Sequence, residues 1–215
     1  MALHGRYVDT VTIGQNNPAS DIEPGTYDLP DRLILSIGRP VITIPYVINY
    51  PEIGKRVLVS RDASRLATRA VNEALKLLQL ADQVDVLAIN PAGGSEGHGD
   101  IPAADICQHL ARHDVSAEAK SITTLDMNVG DTLLSRAADF SSDLIVMGGY
   151  GHWHLRELVL DGVTRHLLKH MTAPVMMSHY INTRIYSFRT CTNCEPPIFR
   201  RPSVPMHPAD RHPGN

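Results

Sequence analysis

The chain has little of what would place it outside a reducing compartment. It carries three cysteines in 215 residues, an odd count that does not suit a disulfide framework, so the cytoplasm is the expected setting. Long apolar runs are missing as well. The longest, Val41 to Ile48, contains a proline and is far short of the ~20 residues a membrane helix needs, so no membrane association is expected. The start, Met1 to Gly14, lacks the basic opening, apolar stretch and small-residue cleavage site of an export signal. Neither sign of charge dominates: 20 Lys and Arg stand against 23 Asp and Glu, and the net charge is -3. Without a basic footprint, nucleic acid is not an expected partner. Nor can a nucleophile poised beside a base, or a paired-carboxylate site, be located, which points to binding rather than catalysis.

What the sequence does contain is an alternation of short β-rich runs with helical patterns, the signature of a parallel sheet covered by helices. Lys55–Arg61 (KRVLVSR) reads as a first strand. Ser64–Leu80 then sets Leu66, Ala70, Ala74, Leu77 and Leu78 on one face at helical spacing, with Ser64 suited to the N-cap. Val84–Asn90 is a second strand, Ala103–His113 a second helix carrying Cys107 as a small apolar residue, and Ser116–Thr123 a third strand. Val129–Phe140, Leu144–Gly148, Val163–Met171 and Pro174–Ser178 supply helix, strand, helix and strand. The class is α/β: an open, Rossmann-like, five-stranded parallel sheet with helices on both faces over residues 55–179. Ligands of such sheets sit beyond the carboxyl ends of the strands, so the site is expected where the runs ending at Arg61, Asn90 and Gly148 stop.

The first fifty residues echo the end of that domain. Asp9–Gly14, a polar loop, Leu33–Gly38 and then Arg39-Pro40-Val41 to Ile44 parallel Asp143–Gly148, its loop, His166–Met171 and Ala173-Pro174-Val175 to Met177. Both read as strand, loop, helix, X-Pro-Val, strand, with Asp28 and Pro30 suiting a helix start and Gly38 a stop. Residues 1–50 are therefore read as a βαβ half-domain, although any βαβ unit shares some of this periodicity. Val41–Ile44 is expected to lie against Val175–Ser178. From Tyr180 to Asn215 the composition changes: six of the fifteen prolines fall there and apolar periodicity stops, as in a disordered tail. Within it Cys191, Cys194, His207 and His212 match a Cys2His2 zinc spacing, but Pro202, Pro205 and Pro208 interrupt the stretch that would have to be its helix, at ~3 kcal/mol for each interior proline.

Chemistry concentrates at two places. Gly148-Gly149-Tyr150-Gly151 ends a strand with residues that admit positive φ and let backbone N–H groups approach a ligand, though tight turns need glycine in any case. Then Asp161-Gly162-Val163-Thr164 opens a helix and offers its N-terminal dipole and a hydroxyl. His152 and His154 beside the turn are placed to touch phosphate or simply to be solvated, and His166 and His170, without a third ligand in range, read as plain helix surface.

The run Gly148-x2-Gly151-x9-Asp161-Gly162-Val163-Thr164, followed by an apolar helix and Ala173-Pro174-Val175, resembles the end of a universal stress protein domain. The stretch RVLVSRDAS, with Asp62 closing the first strand, resembles that family's opening. The resemblance covers residues 55–179. With the N-terminal echo it is similar to the family's tandem branch, the first domain lacking its opening three strands. It implies ATP as ligand, with Asp62 on the adenosine, the Ile89 backbone on the adenine, and Gly148 and Gly151 on the phosphates. Gly162, Val163 and Thr164 would complete the phosphate site, with His152 alongside. Asp62 has a competing use as a helix N-cap. Two departures stand out: Asp161 stands where the family has a glycine, and Gly162 where it has the following serine or threonine. A carboxylate ~4 Å from a phosphate charge costs roughly 1 kcal/mol in water and more in a cleft unless Mg2+ bridges them. In the half-domain Gln15-Asn16-Asn17-Pro18 replaces the glycine turn, and no nucleotide is expected there.

The function these readings favour is a non-catalytic adenine-nucleotide-binding or stress-response module. The alternatives are a slow ATP-hydrolysing enzyme of the same fold and a ligand-free interaction domain. Self-association through the last strands, Val41–Ile44 and Val175–Ser178, is the expected partnership.

Overall fold

The structure, a computed structural model, describes residues 2–16, 29–47, 49–61, 64–91, 103–124, 127–149 and 162–179. In chain order these form α1 (Ala2–Gly5), β1 (Val11–Gly14), α2 (Leu29–Ile37), β2 (Val41–Ile44), β3 (Arg56–Arg61), α3 (Arg65–Leu78) and β4 (Gln83–Ile89). Then come α4 (Ala104–Ala111), β5 (Ala117–Ile122), α5 (Val129–Asp139), β6 (Leu144–Gly148), α6 (Val163–His170) and β7 (Val175–Ser178). Residues 1–181 make one compact unit. Beyond them, the expected tail and the residues Cys191, Cys194, His207 and His212 lie outside the described residues.

The seven strands form one sheet in the order β1-β2-β7-β6-β3-β4-β5. The strands β7, β6, β3, β4 and β5 are the five parallel strands read from residues 55–179. β1 and β2 are parallel to each other and continue the same sheet, because β2 runs antiparallel to β7 with Val41 opposite Met177, Ile42 opposite Met176 and Thr43 opposite Val175. That is the pairing expected from the echo.

Strand alternation explains the layers. Val57 and Val59, Val84 and Val86, Leu144 and Val146, Met176 and Ile42 point to one face, where Ala70, Val71, Ala74 and Leu78 of α3 and Ile106 and Leu110 of α4 cover them. The intervening residues Leu58, Leu87, Ile145, Met147, Val175, Met177 and Val41 point to the other face, under Leu33, Ile34 and Ile37 of α2, Leu133 and Ala137 of α5, and Leu167 and Leu168 of α6. Both faces being buried, the central strands read as near-continuous apolar runs.

The echo holds at the level of single hydrogen bonds. The Ile145 N–H donates to the Pro174 carbonyl (2.8 Å) and the Gly149 N–H to the Ser178 carbonyl (2.9 Å). At the matching positions the Val11 N–H donates to Pro40 (3.0 Å) and the Gln15 N–H to Ile44 (2.7 Å). Even α1, which its four residues left unforeseen, precedes β1 as α5 precedes β6. It lies so close that a Cβ on Gly5 would sit 3.0 Å from Ile37 Cδ1 and 3.3 Å from Val11 Cγ2.

The N-terminal unit is fastened to the rest at both ends of the β2–β7 seam. Gln15 Nε2 donates to the carbonyls of Leu168 (2.9 Å) and Lys169 (3.1 Å), which occupy the last turn of α6. Gln15 thus caps a helix C-terminus at the place where the matching unit has its glycine turn. At the other end Arg69 of α3 donates to the Gly38 carbonyl (3.0 Å) while pairing with Glu73 (2.7 Å), and Glu73 in turn accepts from the buried hydroxyl of Ser178 (2.5 Å).

Candidate functional site

The carboxyl ends of β3, β4 and β6 converge on one edge of the sheet, and α6 starts at that edge because it is the crossover from β6 to the parallel β7. Strand spacing puts the ends of β4 and β6, with β3 between them, about 10 Å apart. Of the residues read as a nucleotide site, Ile89 ends β4, Gly148 ends β6, and Gly162, Val163 and Thr164 open α6. Asp62, Gly151, His152 and Asp161 lie outside the described residues.

Each of these positions has a local cause. The β4 end is fixed by Asn90, which adopts positive φ (48°), donates its N–H to Ile122 (2.8 Å) and accepts at Oδ1 from the Thr124 N–H (2.7 Å). Asparagine is among the few residues that tolerate that conformation. Gly148 is required by packing: a Cβ there would lie 2.7 Å from the Ala67 nitrogen and 2.8 Å from the Leu66 carbonyl carbon, both backbone atoms of the first turn of α3. The absent side chain lets α3 start directly over the end of β6. Gly149 donates to Ser178, its carbonyl lies 3.0 Å from His179 Nδ1, and a Cβ on it would reach within 3.1 Å of Ile34 Cγ2, so α2 braces this turn.

The two helices that open at this edge are capped differently. Ser64 caps α3, its hydroxyl accepting from the Ala67 N–H at 3.1 Å. That fills the role for which Asp62 was the competing candidate. α6 begins at Gly162, which is in extended conformation and makes no side-chain cap hydrogen bond. Thr164 in its first turn is buried, with 8% of its surface exposed. Such a terminus, with its dipole, favours an anionic group.

The rim is partly built from charge. Arg61, at the end of β3, reaches Asp105 in the first turn of α4 at 2.7 Å. Cys107 beside them is half-buried. Burial pushes its thiol above the usual range, the neighbouring Asp105 adds to this, and Arg61 opposes it. Under the opposite face of the same edge, His166 Nε2 lies 2.6 Å from Asp131 Oδ1 and its ring is stacked on His170 at 4.3 Å. This corrects the plain-surface reading of His166. The approach depends on Gly130, where a Cβ would fall 2.9 Å from His166 Cδ2, and sequence spacing gives no sign of a contact 35 residues apart. No cluster of three or more His, Cys, Asp or Glu able to hold a metal occurs among the described residues. A cavity of about 210 Å³ lies at the other end of β7, lined by Gln15, Pro45 to Val47 and Lys169 to Thr172, away from this edge.

Fold and edge together define an open-sheet α/β protein of the Rossmann type. The chain belongs to the universal stress protein family, which matches residues 54–179. Among solved structures it is similar to a universal stress protein from Archaeoglobus fulgidus DSM 4304, with 14% identity and a TM-score of 0.61 over 83% of this chain and 65% of that one. It is also similar to a putative universal stress protein from Pseudomonas aeruginosa UCBPP-PA14, with 14% identity and a TM-score of 0.53 over 83% of this chain and 66% of that one. The chain thus spans just under two thirds of the length of these two proteins. No curated protein matches it. Among the described residues no helix is long and apolar enough to cross a membrane.

Proposed function

We propose that this chain is an adenine-nucleotide-binding module of the tandem type that works in the cytoplasm without turning its ligand over. The observation that supports the reading is the start of α6 at Gly162, a cap residue without a side chain, at the same end of the sheet as the ends of β3, β4 and β6. There the backbone at Ile89 would read the base, and Gly148, Gly151, Gly162, Val163 and Thr164 would surround the phosphates, with Asp62 on the adenosine and His152 alongside. The roughly 10 Å between the ends of β4 and β6 suits a nucleotide laid across β3. Asp161 stands where a glycine is expected, and its charge opposes the triphosphate unless Mg2+ bridges the two.

The test is equilibrium titration of labelled ATP, with and without Mg2+, into wild type and Asp161→Gly, followed by product analysis over hours. Tighter binding by the variant is expected, by about tenfold for ~1.4 kcal/mol of relieved repulsion. Absence of binding by both would remove the nucleotide reading, and turnover well above background would replace the module with an ATPase. Self-association through Val41–Ile44 and Val175–Ser178 themselves is not available, because β2 lies between β1 and β7 and β7 between β2 and β6; a second reading moves it to Tyr46 and Val47, which follow β2 and are 48% and 71% exposed. A monomeric mass in solution would end it.

A further inference from the structure

We infer that Arg69, Glu73 and Ser178 are positioning residues for the phosphate side of the nucleotide site, and that through them the N-terminal unit sets how firmly the turn after β6 is held; the inference rests on the nucleotide reading above. The turn begins at Gly149, whose N–H donates to the Ser178 carbonyl (2.9 Å). Ser178 is fully buried, and its hydroxyl donates to Glu73 Oε2 (2.5 Å). Glu73 accepts at Oε1 from Arg69 Nε (2.7 Å), and Arg69 Nη2 donates onward to the carbonyl of Gly38 (3.0 Å), immediately after α2. A guanidinium there also meets the negative end of the α2 dipole. α2 touches the same turn a second time, since a Cβ on Gly149 would lie 3.1 Å from Ile34 Cγ2. One element of the N-terminal unit thus reaches Gly149 both by packing and through a chain of directed bonds.

The internal repeat shows that the fold itself does not call for this polar chain. Ile44 holds the place of Ser178 in the N-terminal unit, because the Gln15 N–H donates to Ile44 (2.7 Å) as the Gly149 N–H does to Ser178. There the side chain is apolar and packs against the core that α3 covers. A buried hydroxyl and a half-buried carboxylate lose hydration that an isoleucine does not have to give up, so an apolar pair would serve packing at least as well. What the charged acceptor adds is direction: the hydroxyl–carboxylate bond fixes Ser178, and the Ser178 carbonyl fixes the N–H that opens the turn. The polar chain occurs at the strand pair that leads into Gly148-Gly149. The apolar residue occurs at the pair that ends in Gln15, where no nucleotide is expected. Held in this way, the turn is set for the ligand's phosphates before the ligand arrives, which lowers the cost of ordering it on binding.

The test measures binding of ATP and of adenosine to the full chain, together with amide exchange in the ligand-free protein, for wild type, Ser178→Ala and Arg69→Met. Both variants are expected to bind ATP about threefold to tenfold more weakly, the range of one lost hydrogen bond, while adenosine, which carries no phosphate, stays within about twofold. Exchange at Gly149 should rise relative to exchange at Ile145, whose N–H bonds Pro174 at the other end of the same strand pair and registers general loosening. ATP binding that is unchanged, or weakened equally with adenosine, overturns the positioning role. So does a ratio of Gly149 to Ile145 exchange that neither variant alters. If wild type binds neither ATP nor adenosine, the nucleotide reading itself fails and the inference falls with it.

Discussion

At the scale of single residues, three positions decide more than their chemistry suggests. Gly148 is fixed by the backbone of α3, so Gly148→Ala must push Leu66 and Ala67 outward. The expected cost is about 1–3 kcal/mol, as for other overpacked sites, read as a lower urea midpoint and accompanied by weaker nucleotide binding because the strand end moves. Asp143 ties three N–H groups at the start of β3, and Asp143→Ala is expected to cost about 2–4 kcal/mol in the same assay, with Asp143→Asn losing less. Asp85, 2% exposed in the middle of β4, is held by Lys120 at 2.8 Å and by Gln83 at 2.9 Å, and the Lys120 ammonium also sits 4.0 Å over the Phe140 ring. The hydrogen bond to Asp85 holds the ammonium above its ordinary range, burial opposes this, and the charges of Asp85 and Glu118 reinforce it. A raised lysine contributes its full stability below the unfolded value of about 10.4 and loses it as pH climbs through the folded value. Wild type should therefore exceed Lys120→Met by about 3 kcal/mol at neutral pH, with the gap narrowing only above pH ~10.5 in denaturant melts.

At the scale of elements, what was legible depended on whether the cause lay within the element. α3 was readable because its apolar stripe and its Ser64 cap both fall inside one stretch, and β6 because an unbroken apolar run ends in glycine. The positions of Ile89 and Gly148 at strand ends were legible for the same reason, while their use by a nucleotide was implied only by the family resemblance. The four residues of α1 hold too little periodicity to register. The contact between Asp131 and His166 needs two helices to approach through Gly130, and the use of Gln15 needs a partner 153 residues away. Neither leaves a local trace. The replacement of a glycine turn by Gln15 could be seen, but not that its amide caps α6. Gln15→Ala is expected to cost about 1 kcal/mol in a thermal melt and to speed exchange in the last turn of α6, leaving ATP titration unchanged because that turn lies at the far end of the helix.

At the scale of the whole molecule, the β2–β7 seam joins two units whose strands run in opposite directions, so the end of β1 and the end of β6 face opposite edges of one sheet. The N-terminal unit also reaches the candidate site, through Ile34 on Gly149 and through Gly38 on Arg69. Deleting residues 1–49 strips the cover from Val175 and Met177, both fully buried, and is expected to lower the melting temperature and promote aggregation in light scattering. The seam has a further consequence in time. Ile42 meets Met176 across 134 residues of chain, so the earlier strand must wait for the later one. At ~5–20 residues per second of synthesis the wait is on the order of ten seconds, during which an apolar strand has no native neighbour on that side. Refolding from denaturant should show the β1–β2 amides gaining protection after those of β3, β4 and β6.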